Sequence, residues 1–385
     1  MNFQYNLYYR TDKNGFRPRM KKKHVSSAFA SVFLALLMFV GFARATVDPL
    51  QQEIITTITL DETPQCIAVN EVTNRVYVGL ADGLSIIDGA TDTVITKSLS
   101  GVNVKALAVN PQTNRIYVAD YGDHVFVIDG ATNQQLGIIP EGVYQEYEFA
   151  YNPTTNLLYI ADWTVVMGEY DRILVYSGET FTKVTQVNIP DSNEHTLVER
   201  VGLAVNPETN ILYASWSGDD NLYVINGSTH EVINNVEPSS FSREVAVNPC
   251  TNYVYIGNAV LNGETLVEVF SGYEGEIGAV DPVNNLVYTA DYDYLYVLNG
   301  TTHGILSFLE LDWWFSSYSD CMGVNCETDK VYIVNSNDNE IPVVLIPELH
   351  TFLAAILVLV AVTAAFFVYN RTVSKERICK PSSKV

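Results

Sequence analysis

Basic residues are scarce in this sequence: 22 Lys and Arg stand against 44 Asp and Glu, a formal net charge of −22. The imbalance is steeper in the middle of the chain. Residues 46–350 hold nine Lys and Arg against 42 Asp and Glu, a net of −33. Such a surface repels nucleic acid and anionic membranes, and it suits high salt, bound divalent cations or a crowded cell surface. Solubility alone would also account for it.

Cysteine is sparse too. Five in 385 residues make no disulfide framework, and a chain of this length buries a sufficient core without staples. Cys66 and Cys321 each stand four residues before a recurrent asparagine, Asn70 and Asn325; they can bridge, or each can be a buried thiol. Catalytic phrases are missing as well: the sequence has no HExxH, CxxC or GxSxG. Nothing in it therefore marks a zinc hydrolase, a redox dithiol or a serine hydrolase.

Long apolar runs are confined to the two ends. Met20 to Ala45 carries Lys21, Lys22 and Lys23, an apolar stretch and then Ala43-Arg44-Ala45, the layout of a secretory signal with cleavage after Ala45. Thr351 to Tyr369 is 19 residues without a charge. As a helix it would span roughly 28 Å, close to a bilayer's hydrocarbon core. Arg371, Lys375, Arg377, Lys380 and Lys384 follow it against the single Glu376, which puts the tail of residues 370–385 inside the cell. The expected order is a leader (1–45), an outer domain (46–346), a short link (347–350), a transmembrane helix (351–369) and a basic tail.

What the middle has in abundance is repetition. "AVNPQTNRIYVAD" from Ala108 returns as "AVNEVTNRVYV" from Ala68, "AYNPTTNLLYI" from Ala150 and "AVNPETNILYA" from Ala204. It recurs again as "AVNPCTNYVYI" from Ala246, "AVDPVNNLVYT" from Ala279 and "GVNCETDKVYI" from Gly323. The Tyr of each phrase, from Tyr77 to Tyr332, marks six intervals averaging 42.5 residues. A period in the forties denotes a supersecondary unit. Its segments are short, rich in Val, Ile, Tyr and Phe, and bounded by Gly, Asn, Asp and Pro, so they are strands.

In the second repeat the strands are "KALAVN", "RIYVAD", "HVFVIDG" and "QQLGIIP". Asn110-Pro111-Gln112-Thr113-Asn114 is the first hairpin: Pro111 presets φ, the Asn110 side chain caps the backbone two residues on, and Asn114 tolerates the left-handed region. A second phrase, "DGATD" from Asp88, "DGATN" from Asp129, "NGSTH" from Asn226 and "NGTTH" from Asn299, marks the third turn, its Gly assigned to a conformational demand. Asn226 and Asn299 also open glycosylation sequons.

Seven such units predict an all-β, seven-bladed β-propeller with four-stranded antiparallel blades. Glu53 to Leu60, "EIITTITL", precedes the first repeat, and the last repeat stops at its third strand, so the first strand completes the last blade. From Tyr159 to Tyr213 is 54 residues; from Tyr255 to Tyr288 is 33, which predicts a lost fourth strand.

The "NPxTNxxYV" phrase resembles the YVTN-type β-propeller repeat proteins of archaeal and some bacterial cell surfaces, over residues 53–346. Departures are Asp281 for the anchor Asn, Cys326 for Pro and Asp329 for the second Asn. The resemblance implies a propeller and a surface-layer or adhesion-like role, with cell-surface proteins or glycans as partners and lateral self-association. "IPEL" before the apolar run is similar to archaeal sorting signals, with Leu349 for Phe; a plain anchor is the main reading.

Candidate sites follow. Asp120, Asp162 and Asp291 fall three residues after the marker Tyr, joined by Asn258 and Asn335; oxygen-rich turns of this kind can bind Ca²⁺, or simply serve the turn. His230 and His303 occupy equivalent turn positions and are expected to be solvated and apart. Trp163, Trp216, Trp313 and Trp314 offer either a glycan or protein contact surface or core packing. The main expectation is a non-enzymatic, membrane-anchored binding protein outside the cell. The alternative, a lactonase-like or quinoprotein-dehydrogenase-like enzyme acting at the central channel, rests on fold analogy.

Overall fold

The computed structural model describes residues 52–346 apart from 123, 140–147, 163–171, 190–200, 217–219, 241–243, 292 and 313–321. The expected leader, anchor and basic tail lie outside the described residues.

Seven four-stranded antiparallel sheets follow one another along the chain, each built from consecutive hairpins. In blade two the strands are Val104–Asn110, Arg115–Asp120, Val125–Asp129 and Gln135–Ile139, within a residue or so of the expected segments. Blade one runs over 64–98, blade three over 149–188, blade four over 201–236, blade five over 245–271 and blade six over 276–310. Blade seven takes three strands from 322–345 and its outermost from the other end of the chain. Glu53–Thr59 pairs antiparallel with Glu340–Leu345, so the ring closes by a non-local strand pairing.

Alternating burial explains the layering. Second and third strands are buried on both faces, as in Arg115–Asp120 and Arg172–Ser177, because each blade is sandwiched between two others. Outer strands mix polar and aliphatic residues and stay largely exposed. The apolar core is accordingly divided among the blade interfaces. One cluster joins blades one and two, for example, around Tyr77, Ile86, Leu107 and Val118, and another joins blades three and four around Tyr159, Ile173, Leu212 and Trp216. All seven marker tyrosines are buried, and each ring contributes about 1.5–3 kcal/mol by leaving water. Trp216 is fully buried, which makes it a packing residue.

The fourth strand expected to be missing from blade five is present. Glu268–Ser271 pairs with Ala259–Asn262. The repeat is short because its second, third and fourth strands have four residues each, and because the second hairpin turns in Gly257 and Asn258 alone, Gly257 in the left-handed region. Blade five lost length, not a strand.

Candidate functional site

The repeated phrase builds one end of the ring. In each blade the second Asn of the phrase, or Asp329 in blade seven, has a positive φ between 50° and 56°, the left-handed step that the hairpin needs. The first Asn is fully buried, and its Oδ1 accepts backbone N–H groups from its own turn, as Asn110 does from Gln112 and Thr113 at 3.1 Å. Its Nδ2 then does something the phrase alone did not reveal. It donates to Oδ1 of the second Asn in the next blade: Asn70 to Asn114, Asn110 to Asn156, Asn152 to Asn210, Asn206 to Asn252, Asn248 to Asn285, and Asn325 across the closure to Asn74. Six of the seven blade junctions are thus joined by the same amide bond.

The seventh junction, between blades six and seven, explains the irregular residues there. Asp281 and Asp329 replace both asparagines, and neither carboxylate can donate. Asn284, where all six other blades have Thr, supplies the donor: its Nδ2 reaches both Asp281 Oδ2 and Asp329 Oδ1 at 2.9 Å. Asn284→Thr is therefore expected to destabilise the fold by about 1–3 kcal/mol, because the buried Asp281 and the half-buried Asp329 lose the donor that joins them. Adding Asp281→Asn and Asp329→Asn should restore native stability, which urea unfolding of the single and triple variants would measure.

The glycine of the third turn also has a tertiary reason. Gly89, Gly130, Gly178, Gly227 and Gly300 do not have positive φ, contrary to the conformational expectation. A Cβ there would lie 2.1–2.3 Å from Oδ1 of Asn74, Asn114, Asn156, Asn210 or Asn285. The glycine clears space for the linking amide. Blade seven, which has Asp329 instead of Asn, has Ile346 in this place, and Ile346 N still donates to Asp329 O.

The left-handed residue of the third turn lies three positions further on in blades one to six: Asp92, Asn133, Phe181, His230, Leu266 and His303, with φ of 51–58°. Sequence reading gave this position no role, yet it plugs the junction with the preceding blade. Asp92 accepts from Lys330 Nζ and Tyr332 Oη across the ring closure. Phe181 lies under the Arg115 guanidinium at 4.8 Å, and Leu266 packs with Ile211 and Tyr213. The two histidines are not solvated as expected. His303 is 6% exposed, with ring centroids of Tyr253, Phe270 and Tyr255 at 5.0, 5.3 and 5.9 Å. His230 lies half-buried against Tyr159 at 6.5 Å. The signal that could have found this position is its chemical match to the residues beside the preceding blade's Tyr: acid opposite Lys330, aromatic opposite Arg115, aliphatic opposite Ile211.

Burial holds both imidazoles below their ordinary pKa. A base whose folded pKa is depressed contributes full stability above its unfolded pKa, about 6.5, and loses it as pH falls toward the folded value. Melting temperature is expected to drop between pH 7 and pH 5. His303→Phe, which installs the side chain that blade three carries at this position, should flatten that drop. The window stays clear of Asp88, Asp129 and Glu268, whose pKa values are lowered by hydrogen bonds and whose contributions are lost only below about pH 4.5.

The opposite end of the ring carries the second hairpins and the links from one blade to the next. Asp120, Asp162 and Asp291 close second strands there. Asp120 Oδ1 accepts from Gly122 N and His124 N, and Oδ2 faces His124 Nδ1 at 3.2 Å. Asp291 repeats the pattern with Asp293 N and Tyr294 N on Oδ1 and Tyr296 Oη on Oδ2. Asp162, fully buried, pairs with Arg172 Nε at 2.5 Å. These carboxylates serve three separate hairpins. Among the described residues no group of three or more His, Cys, Asp or Glu is arranged to hold a metal ion.

The sequon asparagines spend their Oδ1 on their own turns: Asn226 on Ser228 N and Thr229 N, Asn299 on Thr301 N and Thr302 N. Cys66 is buried, and its suggested partner Cys321 lies outside the described residues, as do Trp163, Trp313, Trp314 and the cleavage position at Ala45. Burial and the Glu71 carboxylate push the Cys326 thiol up, so it is no nucleophile. On the first strands, Val69, Val109, Tyr151, Val205, Val280 and Val324, each one residue before the first Asn or Asp of its phrase, are half-buried.

All the segments that depart from the repeat enter and leave at this second end. Residues 140–147, 190–200 and 313–321 link consecutive blades, and 163–171 join the second and third strands of blade three. The described chain ends lie at the other end, since Glu53 pairs with Leu345 and Leu345 with Lys330, next to the left-handed Asp329. Fold and repeat together define a seven-bladed propeller with one uniform end and one variable end. No protein-family model matches the chain, and no curated protein matches it.

Proposed function

We propose that this protein is a membrane-anchored propeller outside the cell that works by non-enzymatic binding, in adhesion or within a surface layer. The single observation that carries the reading is the segregation of the ring's two ends. The described residues on either side of every long departure from the repeat lie at the end opposite the described chain ends, where a tether would leave a binding face unobstructed. Loops positioned by a rigid scaffold are where binding residues concentrate. The resemblance to YVTN-type surface repeats, the signal-like and anchor-like segments and the net charge of −33 point the same way.

The test is on intact cells and on the full chain. A membrane-impermeant label should reach the propeller, and the full chain should bind envelope fragments saturably without turning over a panel of lactones. Replacing residues 190–200 by a short Gly-Ser turn should weaken envelope binding with little change in melting temperature. Labelling only after lysis, or lactone turnover with a quinone or metal signal in the purified protein, would overturn the reading. Bound calcium at the variable end would announce itself as a lower melting temperature after chelation.

A further inference from the structure

The nine cations of the outer domain are unevenly placed. From Glu244 to Asp329 there is no Lys or Arg in 86 consecutive residues, while the same stretch holds 13 Asp and Glu and 13 Phe, Tyr and Trp. Elsewhere, among the described residues, four of the cations pair with acids within the ring: Arg75 with Asp88, Lys97 with Asp61, Arg172 with Asp162 and Lys330 with Asp92. Blades five and six therefore form a sector of acids and aromatics with no fixed positive side chain of its own.

One group of aromatics in this sector reaches solvent. Tyr294 and Tyr296 on the third strand of blade six stand opposite Glu310 and Phe308 on the fourth. Direct cross-strand partners share a face, and Tyr296 belongs to the cluster with Tyr255 and Tyr273, so this face looks toward blade five. The Phe308 ring lies 5.7 Å from Tyr294 and 6.5 Å from Tyr296, edge-on to the former, and Phe308 is 61% exposed. Tyr296 is fixed by its bond to Asp291 at 2.8 Å.

Outer strands are the exposed layer of the blades: the same register position in blade two, Ile138 opposite Phe126, is exposed as well. Blade six differs in placing an aromatic ring there, opposite a second one.

We propose that Tyr294, Tyr296, Phe308 and Glu310 form a docking surface for a basic segment of a partner protein, its Arg or Lys side chains lying over the rings and pairing with Glu310. An aromatic face attracts a cation through its quadrupole, and Arg also stacks on it. A carboxylate at the edge of the rings fixes the charge, and the acidic sector draws a cationic segment in while repelling anionic ones. The proposal deepens the binding role argued above by naming the chemistry of the partner.

The experiment measures binding of a fluorescein-labelled Arg-Gly-Arg-Gly-Arg peptide to the full chain by anisotropy at about physiological salt. A cation–π contact of about 1 kcal/mol corresponds to roughly fivefold in affinity. Phe308→Ala, an exposed change that leaves the core intact, should weaken binding about fivefold, and Glu310→Gln should do likewise. The Lys counterpart peptide should bind less tightly than the Arg peptide. Glu231→Gln, which removes an exposed acid from blade four, should leave affinity unchanged.

Equal losses from Glu231→Gln and Glu310→Gln with none from Phe308→Ala would mean diffuse attraction to an acidic protein and overturn the proposal. Competition by millimolar glucose would overturn it in favour of a sugar platform. Envelope binding that persists unchanged in Phe308→Ala would remove this surface while leaving the wider binding role standing.

Discussion

Removing residues 52–60 is expected to abolish cooperative folding of the propeller at 37 °C. The segment supplies the outer strand of blade seven through six cross-strand pairs, from Glu53 with Leu345 to Thr59 with Glu340, and Leu60 N donates to Asn339 O at 2.8 Å. It also buries Ile58 and Leu60 to 5% exposure each. The two side chains contribute about 1.5–3 kcal/mol apiece and each ladder bond a net of about 0.5–1.5 kcal/mol. The loss, of the order of 5–10 kcal/mol, rivals the whole stability of an ordinary domain. Deletion also bares the edge of Glu340–Leu345, whose Ile341, Val343 and Val344 are buried, and an unpaired apolar edge invites aggregation. Calorimetry and size-exclusion chromatography would show a lost or strongly lowered transition and soluble aggregates. A synthetic peptide covering residues 49–62 should restore the transition in trans. A native melting temperature for the deletion would mean that the ring does not depend on this closure.

The second large effect is expected from Asn110→Leu. Leucine is similar in size and more apolar, so packing volume is little changed, yet three bonds are lost at once. The backbone N–H groups of Gln112 and Thr113 lose their acceptor, and Asn156 Oδ1 loses its donor from the neighbouring blade and keeps Tyr151 Oη. A polar group left unpaired costs about 1–3 kcal/mol, so the variant should lose about 2–5 kcal/mol in urea unfolding. Asn110→Asp keeps the two turn bonds but sets a carboxylate oxygen against Asn156 Oδ1 in place of the donor, so whatever it loses is the cost of the inter-blade contact alone. A native stability for Asn110→Asp would mean that this contact contributes nothing. Gln112→Ala, an exposed change in the same turn, should stay within about 0.5 kcal/mol of native.

The repeated phrase carried most of the fold because its information is local. Asn114 in the left-handed region, Asn110 capping its turn and Tyr117 in a doubly buried strand are consequences of a few neighbouring residues, and seven copies reinforce one another. Strand positions in blade two and the closure by Glu53–Thr59 were legible for the same reason. The lost strand of blade five was misread because spacing counts residues, not strands: a two-residue turn and four-residue strands shorten a repeat without removing an element.

The variable end was less legible. Asp120, Asp162 and Asp291 share an offset in the sequence, but an offset does not tell a ligand set from three turn caps, and each carboxylate turns out to serve its own hairpin. His124, beside Asp120, drew no attention in the sequence because it lies outside the repeated phrases. The grouping of Phe308 with Tyr294 and Tyr296 depends on cross-strand register, which the spacing of the repeat does not display.

By itself, then, the sequence determined the number of blades, the hairpins within them and the strand that closes the ring, since each is set by residues adjacent in the chain or by the count of copies. Only the tertiary structure decided why Gly130 must be glycine, why Asn284 stands where Thr is usual and why His303 is buried. Those residues answer to partners about 16 to 50 positions away, in the facing turn or the neighbouring blade, and a contact across a junction exists only once the blades are side by side.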